Sequence, residues 1–354
     1  SAQHTLSRHF EALDALELDG FDRRRVENWL LSGMLSMRAG NPAEAELEFQ
    51  RVMNVASPQR WRLPVALAQR GLGELAAHAG RLDEALEAYT RAEGYFGSDA
   101  DPDELATIYE ARAEVNKALG NTAFAITDLE QALDLHRASG SSVQELNVYS
   151  RLADTLLADG DTASAREVAE MGIELGRQLG NRSAEAGCWT TLGEIERFAN
   201  NLEYAGQCYS EAERLDELSG ARHVWVVRTR MAMLELAVGA WDDAGDRLSE
   251  LERRLPAVGF AGMLPVIRLG KAACCAAAGQ WTDFDRLWAQ SIADAERAGL
   301  VERDIAWLAE ICGDLASRSG ASARSKLAFQ VAIKNWDALG ELWKARELRS
   351  RIEV

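Results

Sequence analysis

The sequence of 354 residues lacks the marks of several protein classes. Its 5 cysteines form no CxxC pair and are odd in number, so neither a disulfide framework nor a zinc site is expected. No run approaches the roughly 18 uncharged apolar residues that a membrane helix needs. The first residues also lack the basic end and apolar stretch of a signal peptide. We therefore predict a cytoplasmic setting, with a natural protein that extends beyond Ser1.

Basic residues are scarce as well. Lys and Arg together number 39 against 56 Asp and Glu, which gives a net charge of −17. Such a field repels phosphate backbones and anionic lipid headgroups. Direct binding to nucleic acid or to a membrane surface is therefore not expected. A basic or amphipathic protein or peptide is the predicted partner.

Catalytic signatures are absent too. The sequence contains no GxxxxGK[ST], GxSxG or HExxH motif and no GxGxxG motif after a strand. His4 and His9 are the only neighbouring histidines, and terminal solvated side chains are the favoured interpretation of both. We therefore expect no enzyme activity, no catalytic residues, no metal and no cofactor.

What the sequence does contain is a repeat. Turn segments such as AGNPAEA at 39–45, AGRLDEA at 79–85 and DGDTASA at 159–165 recur about every 40 residues. Each has a glycine in second place, except that Asn200 replaces it once. The turn glycines of this series are Gly40, Gly80, Gly120, Gly160, Gly239, Gly279 and Gly320. A second series lies midway, at Gly140, Gly180, Gly220, Gly259, Gly299 and Gly340.

The segments between the turns have helical spacing, as in Leu146, Tyr149 and Leu152. Glycine after a helix supplies the left-handed residue that ends it, and strand-type alternation is absent. Helices are predicted to begin at Asn41–Pro42, Asn121–Thr122 and Asp161–Thr162. The predicted fold class is all-α, with helix A, a turn and helix B in each repeat.

Packing residues at fixed places within the repeats resemble the tetratricopeptide repeat (TPR) superfamily. The unit that ends at 219 has the residues Trp189, Leu192, Gly193, Ala205, Tyr209 and Ala212. Similar sets contain Gly73 with Tyr89 and Gly33 with Phe49. The period of 40 is similar to the longer variant in LGN-type adaptors and in the C-terminal arrays of MalT-like bacterial regulators. The resemblance implies a right-handed solenoid of about eight helical hairpins.

Three segments are predicted along the chain. Residues 1–20 are expected to form an N-terminal capping helix, and residues 21–340 a tandem array of about eight repeats. Residues 341–354 are expected to form a C-terminal capping helix, because a terminal repeat has no neighbour to cover its apolar face. This last segment is rich in Lys and Arg, so a docking patch is the alternative to a solvated cap.

The resemblance also implies a ligand-binding groove along the inner stripe of the A helices. Four carboxylates recur there with a spacing of 40, and we call this row the acidic ladder: Glu74, Glu114, Asp154 and Glu194. The other predicted groove residues are Arg70, Glu110, Lys117, Asn147, Ser150 and Arg197. The alternative is that these charges form solubilising pairs three or four residues apart on single helices.

Equivalent positions in later repeats are apolar. They predict an apolar inner wall at Val226, Met233, Leu236, Val266 and Leu269. Exposed contiguous apolar surface usually marks an interface, so this wall is a second candidate site. Trp225 and Trp307 fall on the same helix face, either as core residues or as ligand anchors.

The predicted function is therefore a non-enzymatic scaffold or sensor that binds a peptide or protein in its groove, as a regulatory part of a larger bacterial signalling protein. The alternative is a domain that senses a small effector for an attached MalT-like ATPase or a kinase. A purely structural role in oligomerisation is a third hypothesis. A basic or amphipathic partner and an attached upstream domain are expected.

Overall fold

The computed structural model describes residues 22–96 and 101–352. These ranges contain seventeen α-helices, one short 3-10 turn at Ala261–Met263 and no strand. The helix predicted within 1–20, with His4 and His9, lies outside the described residues. In chain order the helices are α1 (Asp22–Arg38), α2 (Pro42–Ala56), α3 (Arg62–His78), α4 (Leu82–Tyr95), α5 (Pro102–Ala118), α6 (Thr122–Ser139), α7 (Ser142–Asp159), α8 (Thr162–Leu179), α9 (Arg182–Phe198), α10 (Leu202–Ser219), α11 (Val224–Val238), α12 (Trp241–Val258), α13 (Leu264–Ala277), α14 (Trp281–Ala298), α15 (Arg303–Arg318), α16 (Ser322–Ala338) and α17 (Leu342–Ile352).

The described residues divide into two compact units, unit 1 up to Asp159 and unit 2 from Gly160. In unit 1, the A helices α1, α3 and α5 pack on the B helices α2, α4 and α6 that follow them, and α7 packs on α6. In unit 2 the pairs are α9 with α10, α11 with α12, α13 with α14 and α15 with α16. There α8 packs on α9, and α17 packs on α16.

The predicted turns have left-handed backbone. Gly160 has φ +95°, and Asn200, which replaces glycine, has φ +63°. All the other predicted turn glycines also have positive φ, between +63° and +87°. Helices begin at Pro42, Thr122 and Thr162, as predicted. The Asp161 carboxylate accepts a hydrogen bond from the Ser164 amide at 3.1 Å, which caps α8.

Close contact of glycine and aromatic rings holds helices A and B together. A Cβ at Gly73 would lie 2.8 Å from the Tyr89 ring, so only glycine fits beneath it. Gly193 lies under Tyr209 in the same way. Gly313 and Phe329 repeat the arrangement near the C-terminus. The packing motif therefore persists to the last repeat.

Unit 2 has a continuous apolar core that runs from α11 to α17. Trp336 of α16 is almost fully buried in it, and Trp225, Trp241, Trp281 and Trp307 pack against it while partly exposed. Helix α17 adds Ala345 and Leu348, both buried. Of the helices in the described ranges, none combines the length and apolar character needed to span a lipid bilayer.

Candidate functional site

The A helices of unit 1 carry three members of the acidic ladder. Glu74 lies on α3, Glu114 on α5 and Asp154 on α7. Their side chains are 36%, 54% and 51% exposed. All three carboxylates are therefore within reach of a ligand in solvent. Glu194, the fourth member, belongs to unit 2 and lies in a different environment.

Ion pairs connect each of these A helices to the next. Arg70 of α3 pairs with Glu104 of α5, and Lys117 of α5 pairs with Asp154 of α7. Arg70 also lies 3.8 Å from Glu74 on its own helix. These charges therefore bridge neighbouring repeats, in addition to decorating single helices.

Arg151 of α7 also pairs with residues of the neighbouring A helix. Its guanidinium lies 2.9 Å from Glu110 and 3.7 Å from Glu114, both on α5. Asp154, three residues along the same helix, pairs instead with Lys117. Each exposed pair of this kind contributes on the order of 0–1 kcal/mol. A ligand can therefore exchange partners with these charges at small cost.

Two neutral groove residues complete this face. Asn147 is exposed and Ser150 is half-buried, both on α7. The described part of the chain gives neither side chain a hydrogen-bond partner. An amide and a hydroxyl in this position can bond to the main chain of an extended peptide.

A small cavity of about 300 Å³ opens on the same face, lined by Glu74, His78, Tyr89 and Glu114 among others. Burial raises the pKa of Glu74, although Arg70 and His78 act in the opposite direction. Burial also raises the pKa of Tyr89, and the Glu74 charge adds to this effect. A carboxylate that lacks full solvation gains from a cationic ligand group.

Beneath the groove, Glu110 takes part in a buried bridge that the sequence did not predict. The ring of His136 on α6 lies 2.9 Å from Asp103 through Nδ1 and 2.9 Å from Glu110 through Nε2. The bridge fixes Glu110, which is largely buried, so this predicted groove residue is less accessible than Glu114 and Asp154.

In unit 2 the predicted groove residues Glu194 and Arg197 belong to a buried charge cluster, completed by Arg230 and Asp304. Arg197 donates to Asp304 Oδ1 at 2.6 Å, and the two side chains are only 2% and 4% exposed. Arg230 pairs with Asp304 and lies 3.3 Å from Glu194. Burial alone would raise the pKa of Asp304, yet the two guanidinium groups hold it below its usual value.

The placement of Arg197 as an exposed groove residue is therefore wrong. Its partner Asp304 lies 107 residues further along the chain, on α15. The side chains of Arg197 on α9 and Arg230 on α11 both reach this carboxylate. Three A helices of unit 2, α9, α11 and α15, thus converge on one buried point, where Asp304 pairs with both guanidinium groups.

The predicted apolar inner wall is also corrected by the structure. Met233, Leu236, Val266 and Leu269 are all buried, and Val226 is partly buried. The physical reason is that α15 packs on α13, so its apolar residues join those of α11 and α13 in one core. These four side chains therefore stabilise unit 2 and do not form an exposed wall.

A larger cavity of about 530 Å³ lies in unit 2, and we call it the α15 cavity. It is lined by residues at the ends of α9 and α11, by the start of α12, and by α15 and α17. Aromatic and charged side chains share its walls. Those that matter below are Arg197, Phe198, Trp241, Trp307, Glu310, Asp314, Arg318 and Lys344.

Residues 22–96 and 101–352 contain no group of three or more His, Cys, Asp or Glu arranged to hold a metal ion. The five cysteines are all free. Burial, followed by the Glu185 charge, raises the pKa of Cys188 to about 12. Burial likewise raises the pKa of Cys274 to about 12. These thiols are therefore protonated at neutral pH and poorly nucleophilic.

The family model described as "Tetratricopeptide repeat" matches residues 104–178. Residues 104–178 thus match the tetratricopeptide repeat, and the all-helical fold is the TPR-type solenoid that the sequence predicts. The narrower likeness to LGN-type or MalT-like arrays stays a prediction. No curated protein sequence matches the chain.

Solved structures of the same fold include a Rap protein complexed with competence and sporulation factor. It has a TM-score of 0.68 at 14% identity, and the match covers 96% of this chain and 97% of that one. The Rap conjugation gene regulator of plasmid pLS20, in complex with the Phr* peptide, has a TM-score of 0.65 at 11% identity, with coverages of 92% and 97%.

A third similar structure is a signal transduction ATPase with numerous domains from Pyrococcus horikoshii, which has a tetratricopeptide repeat sensor. Its TM-score is 0.53 at 14% identity, and the match covers 99% of this chain and 55% of that protein. At such identities these likenesses establish the fold alone.

Proposed function

We propose that this chain is a non-catalytic binding module whose A-helix face in unit 1 takes up a basic or amphipathic peptide or protein segment. The observation that carries the proposal is the row of half-exposed carboxylates at Glu74, Glu114 and Asp154. Asn147 and Ser150 lie beside it without hydrogen-bond partners among the described residues. The carboxylates select a cationic ligand, and the side chains of Asn147 and Ser150 form hydrogen bonds with its main chain.

The charge around this face supports the same ligand class. Residues 81–135 contain 13 acidic and 4 basic residues, a net charge of −9. Such a concentration of one sign accelerates the encounter with an oppositely charged partner. TPR-type solenoids typically serve as scaffolds, and two Rap proteins of this fold are in complex with a peptide or a signalling factor.

The proposed setting is the cytoplasm of a bacterium, as the regulatory part of a larger signalling protein. The five free cysteines favour a reducing compartment. A second candidate function is the sensing of a small effector for an attached ATPase or kinase. The α15 cavity favours this candidate, because its volume of about 530 Å³ falls within the range of small-ligand pockets.

The main experiment reverses charge on the ladder. The double variant Glu114→Lys with Asp154→Lys and the wild type are titrated with labelled Lys-rich and Glu-rich peptides at low and at moderate salt. The wild type should bind the Lys-rich peptide, more weakly as salt rises, and the variant should lose most of this affinity.

The matched control is Glu130→Lys with Asp134→Lys, which changes the net charge equally at exposed positions on the B helix α6. It should retain binding. If both double variants lose the same affinity for the Lys-rich peptide, binding depends only on net charge. This result would contradict a site on the A-helix face.

A further inference from the structure

The α15 cavity contains hydrogen-bond donors that have no acceptor. Arg197 lies in its wall, although the Nε of this side chain is closed to solvent. Arg318 and Lys344 have no carboxylate within ion-pair distance among the described residues. Lys344 is half-buried and lies 4.0 Å from the centre of the Trp336 ring. Positive groups from α9, α15 and α17 therefore line one space, and those of Arg318 and Lys344 have no ion-pair partner among the described residues.

The acidic residues of the lining do not cancel these charges. Asp314 pairs with Arg351 at 2.9 Å. Glu310 accepts a hydrogen bond from Trp336 Nε1 at 3.2 Å, and burial raises its pKa toward the neutral form. Burial also lowers the pKa of Lys344, and a bound anion would favour its charged form. The three cationic residues of the lining, Arg197, Arg318 and Lys344, thus outnumber its two acidic ones, Glu310 and Asp314.

Aromatic rings give the cavity flat apolar walls. Trp241 and Trp307 line it from α12 and α15, and Phe198 from the end of α9. Arg197 lies 4.3 Å from the Phe198 ring and 5.1 Å from the Trp307 ring, while Asp304 holds its guanidinium from the other side. The Arg197 side chain is therefore rigidly placed before any ligand arrives.

We infer that the α15 cavity is a binding site for a carboxylate carried on a flat aromatic body. The carboxylate would bond to Arg318 and Lys344, and the aromatic body would stack on the tryptophan rings. This inference deepens the second candidate function, the sensing of an effector. It is independent of the peptide site, because it involves different residues in the other unit.

The test uses 2-naphthoate as the probe and uncharged 2-naphthamide as its isostere, both titrated calorimetrically into the full chain. We expect naphthoate to bind at least tenfold more tightly than naphthamide. Lys344→Met keeps the apolar stem over Trp336 and removes the charge, and Arg318→Gln removes an exposed charge. Each should weaken naphthoate binding severalfold, and Arg346→Gln, an exposed cation of α17 outside the cavity, should leave it unchanged.

A second arm distinguishes a small acid from the end of a peptide. A short peptide that ends in Trp is compared as the free carboxylate and as the amide. The site is supported if either probe binds only with its carboxylate. The probe that binds more tightly shows whether the natural carboxylate belongs to a small acid or to the end of a peptide. Equal binding of acid and amide, no binding of any carboxylate probe, or unchanged affinity in correctly folded Lys344→Met and Arg318→Gln would overturn the inference. Thermal melts establish folding, and the ladder variants test the peptide proposal separately.

Discussion

The two units place the charges of their A helices in opposite environments. In unit 1, Lys117 and Asp154 form a pair whose side chains are 30% and 51% exposed. In unit 2, Arg197 and Asp304 form a pair that is almost fully buried. The same repeat thus produces a solvated charged face in one unit and a buried charge cluster in the other.

The difference in exposure of these charges follows from the residues that surround them on the A helices. In unit 1 the inner positions are polar, so water and a ligand can replace one ion-pair partner with another. In unit 2, α11, α13 and α15 bring their apolar residues into one core, which leaves the charges between them without solvent. A buried charge must keep its partner, so recognition in unit 2 falls to the unpaired donors of the α15 cavity.

The largest expected effect comes from breaking the buried cluster. Asp304→Asn leaves the guanidinium groups of Arg197 and Arg230 without their shared carboxylate. Removing one partner of a buried pair costs about 3–5 kcal/mol of unfolding free energy. Asp154→Asn in unit 1 makes the same chemical change at an exposed pair and should cost about 0–1 kcal/mol. Denaturant unfolding of both variants measures the contrast, and similar losses would show that the two environments do not differ in energy.

The same cluster predicts a dependence on pH. The pKa of Asp304 is below its ordinary value of 3.8, so its ionised form contributes stability above that value. This contribution is lost as the pH falls through the lower pKa of the folded state. The advantage of the wild type over Asp304→Asn should be constant near neutrality and shrink below a pH of about 4. An advantage that grows in acid would contradict the depressed pKa.

A smaller effect, similar in both units, is expected at the crossings of helices A and B. Gly73→Ala and Gly193→Ala place a methyl group against Tyr89 and Tyr209. Overpacking of this kind costs about 1–3 kcal/mol. Gly94→Ala, on the helical backbone of α4 with open space around it, should instead stabilise by about 0.4–1 kcal/mol. Thermal melts of the three variants compare them, and a harmless Gly193→Ala would show that the ring can move away.

Local features of the fold could be read from the sequence. Backbone sterics alone predict left-handed turns at Gly160 and at Asn200, which stands at the equivalent position of the next repeat. Both residues have positive φ. The glycine beneath Tyr209 follows from the repeat motif in the same way. Such features depend on residues a few positions apart or one repeat apart, which the period of 40 relates directly.

Contacts that skip repeats could not be predicted. The period indicates which residues are equivalent, but it does not indicate how tightly successive hairpins curve. Arg197 therefore looked like an exposed groove residue, although it pairs with Asp304 on a later repeat of unit 2. The apolar wall at Met233 and Val266 was also misassigned, because its burial depends on α15, which packs on α13 from the next repeat. The pairing of Lys117 was also not predicted, but its partner Asp154 lies only one repeat further along the chain.

The smallest predicted effect concerns that Lys117–Asp154 pair. Its coupling energy measures how easily a ligand can take the place of one partner. A double-mutant cycle with Lys117→Met and Asp154→Asn should give a coupling energy on the order of 0.2–1 kcal/mol, because both groups remain solvated. The coupling should decline further as salt rises, since the Debye length falls from about 10 Å at 0.1 M to about 3 Å at 1 M. A pair this weak can give its carboxylate to a cationic ligand, as the proposed peptide site requires. A salt-independent coupling well above 1 kcal/mol would instead mean that Asp154 is committed to Lys117, and the ladder would be a structural brace between α5 and α7.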